Sequence, residues 1–214
     1  MTDNNKKAAS EAEVLVLSVK PQYYAETIAE IRDYVREDQI IITIAPGKTL
    51  SWLGEQFGKS VKIVRTMPNT PALVGEGMTA ACVNEYVTEE ERAYALKILS
   101  SFGKVEFVPE NLIDAVVAVS GSAPAYVFMF IEAMADAAVA EGMPRAQAYQ
   151  FAAQAVYGSA KMVMETGKHP GELKDMVCSP AGTTIEAVAV LEERGLRSAV
   201  IEAMRVCAEV SRTM

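Results

Sequence analysis

The chain changes character at about its midpoint, and that change limits the folds open to it more than any other feature. From Val14 to about Val108, short apolar runs alternate with helical segments. The runs are "VLVLSV" (14–19), "IIITIA" (40–45), "KIVRTM" (62–67), "GMTAACV" (77–83) and "KVEFV" (104–108), with helices expected over about 22–37, 49–58 and 88–102. Continuous apolar strands separated by helices imply a mostly parallel sheet covered on both faces. After Asn111 the strand signals stop. Alanine-rich helices take over, opened by Pro124, Pro144 and Pro170 and closed by Gly142, Gly167 and Gly195, the usual positions for these two residues. The expected fold class is therefore α/β plus all-α, with a Rossmann-like domain over 1–108 and a helical bundle over 109–214.

Composition narrows the function. A net charge of −8 argues against a nucleic-acid groove, which needs clustered Lys and Arg. The single His169 makes a His-based metal site improbable, and no metal is expected. No uninterrupted apolar run reaches the roughly 18 to 20 residues that span a bilayer, so no membrane association is expected. The first residues lack the apolar core of a secretion signal, and Cys82, Cys178 and Cys207 show no ligand spacing; a cytoplasmic location fits best.

Two regions look chemical. "CSPAGTTIEAV" (178–188) places Thr183 three residues before Glu186, the pattern of a capping box. The cap alone would account for a stable helix. The preceding Ser179-Pro180-Ala181-Gly182 stiffens and then frees the backbone, which would also let several amides converge on an anion such as a small carboxylate. The second region is a set of strand ends. "SVKPQ" (18–22), "IAPGKT" (44–49) and "RTMPNTP" (65–71) each carry Pro or Gly where a strand stops, at the edge where open α/β sheets place ligands. His169 is expected to shape a helix start, Trp52 and Met129, Met134, Met162 and Met164 to pack in a core, and Cys178 to have no nucleophilic role.

Together, "SVKPQ", "IAPGKT", "RTMPNTPALVGEGMTA", "LIDAVVAVSGSAPAYVF", "HPGELKDMVCSPAGTTIEA" and "LRSAVIEAM" resemble the pyrroline-5-carboxylate reductases, in order and over nearly the whole chain. The resemblance implies reduction of the C=N bond of 1-pyrroline-5-carboxylate to L-proline by NADPH or NADH. It implies that Thr184 contacts the ring nitrogen as the catalytic position, that Ser179, Gly182, Thr183 and Thr184 hold the substrate, and that Glu110 lies at the substrate pocket. It places Ser18, Val19, Lys20, Pro21, Ile44, Ala45 and Pro46 on the nicotinamide side and Asn5 near the adenosine end. It further implies a homodimer through the helical domain, with larger rings built from dimers. Ala123 and Ala181 stand where that family often has glycine, and Pro46 where it often has alanine.

One departure matters. "VLVLSV" is followed by "KPQ" rather than by the G-x-G-x-x-G that opens a phosphate-binding helix. Compared with the family, the first strand–helix units and the phosphate-binding loop are missing, so the Rossmann-like domain is expected to be truncated. These residues alone are expected to bind the dinucleotide poorly and to turn over weakly or not at all. A fragment of a working reductase and a non-catalytic dimerising or regulatory short form both remain open. A 6-phosphogluconate or β-hydroxyacid-type dehydrogenase is the further alternative, with Lys161 in "GSAKMVMETG" as its proton carrier; a solvated helix lysine is the plainer reading of that residue.

Overall fold

The computed structural model describes residues 2–213. These residues form two compact units, one from the chain up to Pro124 together with the segment from Met204 onward, the other from Ala125 to Ala203. The packing boundary thus falls some fifteen residues beyond the point at which the sequence changes character, and the C-terminal segment belongs to the sheet unit.

In the first unit five strands lie in sequence order, β1 (Val14–Leu17), β2 (Ile40–Thr43), β3 (Lys62–Met67), β4 (Gly77–Val83) and β5 (Gly103–Phe107). β1, β2 and β3 run parallel, β4 is antiparallel to β3, and β5 is parallel to β4. The interior strand β2, "IIIT", is β-branched throughout and buried at every position, as a strand covered on both faces requires. Alternation then divides its side chains. Ile41 joins Leu17, Ile63, Leu53 and Phe57 in one core, while Ile40 and Ile42 join Val64, Ala81, Ala95 and Leu99 in another. The first core is roofed by α2 (Tyr24–Ile31) and α3 (Leu50–Phe57), the second by α4 (Glu89–Leu99). Each large aliphatic side chain so buried stabilises the unit by about 1.5–3 kcal/mol.

The helix expected over about 22–37 is confined to Tyr24–Ile31, after a 3-10 turn at Pro21–Tyr23. Gln39, fully buried, explains where it stops. Its Oε1 accepts from the Arg36 amide at 2.7 Å and its Nε2 donates to Ala9 O at 2.6 Å and to Ala12 O. A helix continuing through Arg36 would lose that anchor. The acceptors Ala9 and Ala12 lie in and just after α1 (Asn5–Glu11), a helix with no apolar period in its sequence. It forms because the Asn4 side chain accepts from the Lys7 amide and because Ala9 is buried in the first core. At the far edge, Gly103 pairs with Gly77; a Cβ on Gly103 would lie 2.1 Å from Gly77 O, so the two strand starts approach as only glycine permits.

The chain then passes through α5 (Ile113–Val116) and a π-helical turn at Val117–Gly121 into α6 (Ala123–Ala140). By length and composition alone, the helical stretch Glu110–Ala140, which holds an 18-residue window of mean hydropathy 1.6, is long and apolar enough to cross a membrane. The second unit contains most of α6, then α7 (Arg145–Thr166), α8 (Pro170–Val177), α9 (Thr183–Glu193) and the first half of α10 (Leu196–Arg212). His169 Nδ1 accepts from the Gly171 amide at 3.1 Å and so caps α8. Met129, Met162 and Met164 are exposed, so the expectation of core packing fails for them; only small residues and Leu173 are buried in this unit. Trp52 packs, partly buried, on the first core.

Candidate functional site

Two separate features carry the chemistry, one in each unit. In the sheet unit the parallel register of β1 and β2 ends at Leu17 opposite Thr43. The segments that follow, Ser18–Pro21 and Ile44–Pro46, therefore leave the same edge of the sheet side by side. They part around a tyrosine. Tyr24, fully buried in the first turn of α2, donates its hydroxyl to Leu17 O at 2.5 Å and accepts from the Ile44 amide at 3.3 Å. Burial pushes its pKa up against the pull of the Ile44 and Ala45 amides, so the phenol stays neutral. Val19 and Lys20 are exposed, Ala45 is buried and Pro46 half-buried. Gly47, at φ 72°, turns the chain away toward the Thr49 cap of α3. Open main chain past two parallel strands, with small and apolar side chains beside it, suits a flat, uncharged ring. These residues fit the nicotinamide end of a dinucleotide. Asn5, at the start of α1, donates its Nδ2 to Glu30 Oε2 in α2 at 2.9 Å.

Glu110 is tied to the chain that follows the second of these segments. Its Oε1 accepts from the Leu50 amide, at the start of α3, and from Arg65 Nη1, both at 2.7 Å. Arg65 is almost wholly buried, its side chain 4% exposed. Within the sheet unit Glu110 thus pins the end of the loop that begins at Ile44. Its neighbour Cys82 is pushed up to about 11 by burial and by Glu110, against Arg65, which excludes a thiolate there.

The helical unit holds the second feature. The Gly182 amide donates to Ser179 O at 3.1 Å, closing a turn with Pro180 at its second position and Ala181 at its third. Ala181 has φ 55°, the left-handed region, and is the one non-glycine residue so placed among those described. The expected capping box is absent. Gly182, extended at φ −82°, ψ 167°, is itself the N-cap, so Thr183 is the first helical residue and Glu186 falls one position too late to reach back. Among the described residues, no side chain caps α9, and no acceptor meets the amides of Thr183 and Thr184. A Cβ on Gly182 would lie 2.4 Å from Ser179 Oγ and 3.1 Å from Ser179 O, so a larger residue there would have to turn the Ser179 hydroxyl aside. Ser179 and Thr183 are exposed, Gly182 and Thr184 half-buried. Unpaired first-turn amides and the positive end of the helix dipole together make a seat for a small anion. Cys178 ends α8 as a free thiol. Lys161 pairs with Glu165 at 3.5 Å with its side chain half exposed, as a solvated helix lysine does.

Tyr24 and Arg65 were not singled out by sequence. Tyr24 stands at i, i+4, i+7 with Ile28 and Ile31, the spacing of a buried helix face, and that spacing marks it over its exposed neighbour Tyr23. Arg65 sits within an apolar strand, and its partner is 45 residues away; no local pattern joins the two.

Known proteins share the sequence and the fold. The family model described as pyrroline-5-carboxylate reductase dimerisation matches residues 110–214, and that described as NADP oxidoreductase coenzyme F420-dependent matches residues 1–47. The chain is 57% identical over 209 residues to the pyrroline-5-carboxylate reductase of Escherichia coli (strain K12), covering 98% of this chain and 78% of that protein. It is 47% identical to that of Synechocystis, covering 96% and 76%. Among solved structures, Plasmodium falciparum pyrroline carboxylate reductase with NADP bound superimposes with a TM-score of 0.94 at 32% identity, covering 99% of this chain and 80% of that one. The Coxiella burnetii enzyme gives 0.90 at 36%, covering 99% and 79%. A ketol-acid reductoisomerase at 14% identity, TM-score 0.61, shares the fold alone. With relatives this similar matched over more than three quarters of their length, the chain belongs to the pyrroline-5-carboxylate reductase family.

Proposed function

We propose that the chain reduces 1-pyrroline-5-carboxylate to L-proline with NADPH or NADH. The observation that carries this reading is the turn at Ser179–Gly182, which leaves the amides of Thr183 and Thr184 without internal acceptors beside a hydroxyl. In it the substrate carboxylate lies against those amides, and the Thr184 hydroxyl meets the ring nitrogen. Ser18–Pro21 and Ile44–Pro46 hold the nicotinamide ring, with Glu110 steadying the second segment through Leu50. When bound, the dinucleotide supplies a hydride to the imine carbon. The nitrogen takes its proton from solvent or already carries it as the iminium, because a neutral threonine hydroxyl is a weak acid. Thr184 orients the ring, and orientation alone supplies several kcal/mol. The working unit is a homodimer through the helical region, extended into larger rings, in the cytoplasm, with a small-molecule substrate and neither nucleic acid nor membrane as partner.

The test is a spectrophotometric assay with pyrroline-5-carboxylate and each dinucleotide. Thr184→Ala is expected to lower kcat/KM by roughly 100-fold and Lys161→Ala to leave it within about twofold. A larger loss from the lysine change than from the threonine change would favour a dehydrogenase that uses a helical lysine as proton carrier, and would overturn the proposal.

A further inference from the structure

We infer that Tyr24 is a positioning residue whose hydroxyl sets the gap between the two strand ends that receive the nicotinamide. The inference rests on the proposed dinucleotide site and goes beyond it, since Tyr24 lies behind that site.

The hydroxyl sits where the β1–β2 ladder stops. The last register pair is Leu17 with Thr43, and the next residues on each strand are the first of the two proposed cofactor segments. Leu17 O and the Ile44 amide would otherwise be left without partners at a largely buried strand end. One phenol serves both, donating at 2.5 Å and accepting at 3.3 Å. An oxygen interposed in this way keeps the two main chains apart and fixes their separation, because the ring behind it cannot move. That ring is fully buried in a core with Leu17, Ile28, Ile31 and Ile41, and its Cα is held by the 3-10 turn at Pro21–Tyr23. Core packing is thereby relayed to the width of a crevice.

Removing the oxygen while keeping the ring separates this role from packing. In Tyr24→Phe, Leu17 O and the Ile44 amide must either draw together or take up water, and both change the gap. Tyr23→Phe, one residue earlier on an exposed ring, is the control. Three quantities are read on the whole chain: the Kd of NADPH and of NADH by fluorescence titration, the hydrogen exchange of the Ile44 amide without cofactor, and the melting temperature. The expected result is about fivefold to tenfold weaker binding of both dinucleotides in Tyr24→Phe. Faster exchange at Ile44 should accompany it, with Tyr23→Phe unchanged in both. Equal Kd values in wild type and Tyr24→Phe, with only a lower melting temperature, would make the hydroxyl a structural contact and overturn the inference alone. An unprotected Ile44 amide in the wild type would overturn it without any variant. Failure of the wild type to bind either dinucleotide even at millimolar concentration, where weak binding still registers, would overturn the proposed cofactor site and this inference with it.

Discussion

The sheet unit and the helical unit treat their apolar residues in opposite ways. In the first, Ile41, Leu53, Ile63 and Val64 are wholly inaccessible and form two cores on either side of the sheet. In the second, the buried residues are Ala135, Ala148, Ala152 and Leu173. Its large side chains are outside: Val127, Phe128, Met129 and Phe130 are all exposed on α6, although four successive helical residues point in every direction. A helix apolar all round is stable in water only when something surrounds it. The sheet unit is finished by its own burial, and the helical unit is finished by another chain, in agreement with the dimerisation family that covers residues 110–214.

That contrast breaks most directly under a pair of substitutions. Phe128→Asp places a carboxylate on the surface that the second copy would cover, at a cost of about 3 kcal/mol or more in association. A weakening of at least about 100-fold in dimer Kd is expected, read by analytical ultracentrifugation. Ile63→Ala removes buried methyl groups from the sheet core and should cost about 2–5 kcal/mol in unfolding, read by thermal melting. The melting temperature of the Ile63→Ala protein should still rise with protein concentration, as association with the native state requires, whereas that of Phe128→Asp should not. If Phe128→Asp stays a full-strength dimer, the exposed face of α6 is not where the second copy binds.

The same contrast explains what could be read from sequence. β3 and β4 lie at their expected residues, 62–67 and 77–83, because each carries a short apolar run, Ile63–Val64 and Ala80–Cys82, that is buried without a break. The helices bounded by Pro and Gly, such as α7 before Gly167 at φ 64°, were equally legible. Burial within α6 and α7 was not. The methionines of these helices have core composition, and only a second molecule turns that composition into a core. At the site, Pro180 and Gly182 marked the turn, but the capping box failed because Gly182 took the cap position. The reach from Glu110 to Arg65 and Leu50 is tertiary and leaves no local trace.

A second test asks whether the helical unit stores strain at its turn. Ala181 at φ 55° keeps a Cβ in the left-handed region, which costs a non-glycine residue about 1–2 kcal/mol, while glycine there would lose additional chain entropy of roughly 0.5–1 kcal/mol. Ala181→Gly should therefore raise stability slightly, by about 0.5 kcal/mol, seen as a small rise in the denaturant midpoint. The Thr183 and Thr184 amides would keep their places, so KM for the pyrroline should not rise. A drop in stability would mean that the wild-type turn is relaxed.

The smallest expected effect concerns charge. Ion pairs of the helical unit such as Lys168–Glu172 are open to solvent, at 43% and 54% exposure, and should contribute almost nothing. In the sheet unit Lys62 Nζ lies 2.5 Å from Glu91 Oε1, joining β3 to the first turn of α4. Burial pushes the Glu91 carboxyl up, but the hydrogen bonds from Lys62 and from the Thr88 amide outweigh it, and its pKa lies below the ordinary 4.5. A carboxyl depressed in the folded state binds fewer protons there than when unfolded. Its contribution is therefore complete above the ordinary value and is lost as pH falls through the folded one. With solvent screening the pair amounts to about 0.5 kcal/mol. The stability difference between wild type and Lys62→Met should have that size near neutrality and shrink toward zero as the pH falls through the folded-state value of Glu91, followed by urea unfolding from neutrality into acid. A difference that persists in acid would assign the loss to the lysine stem packing on β3 instead of to its charge.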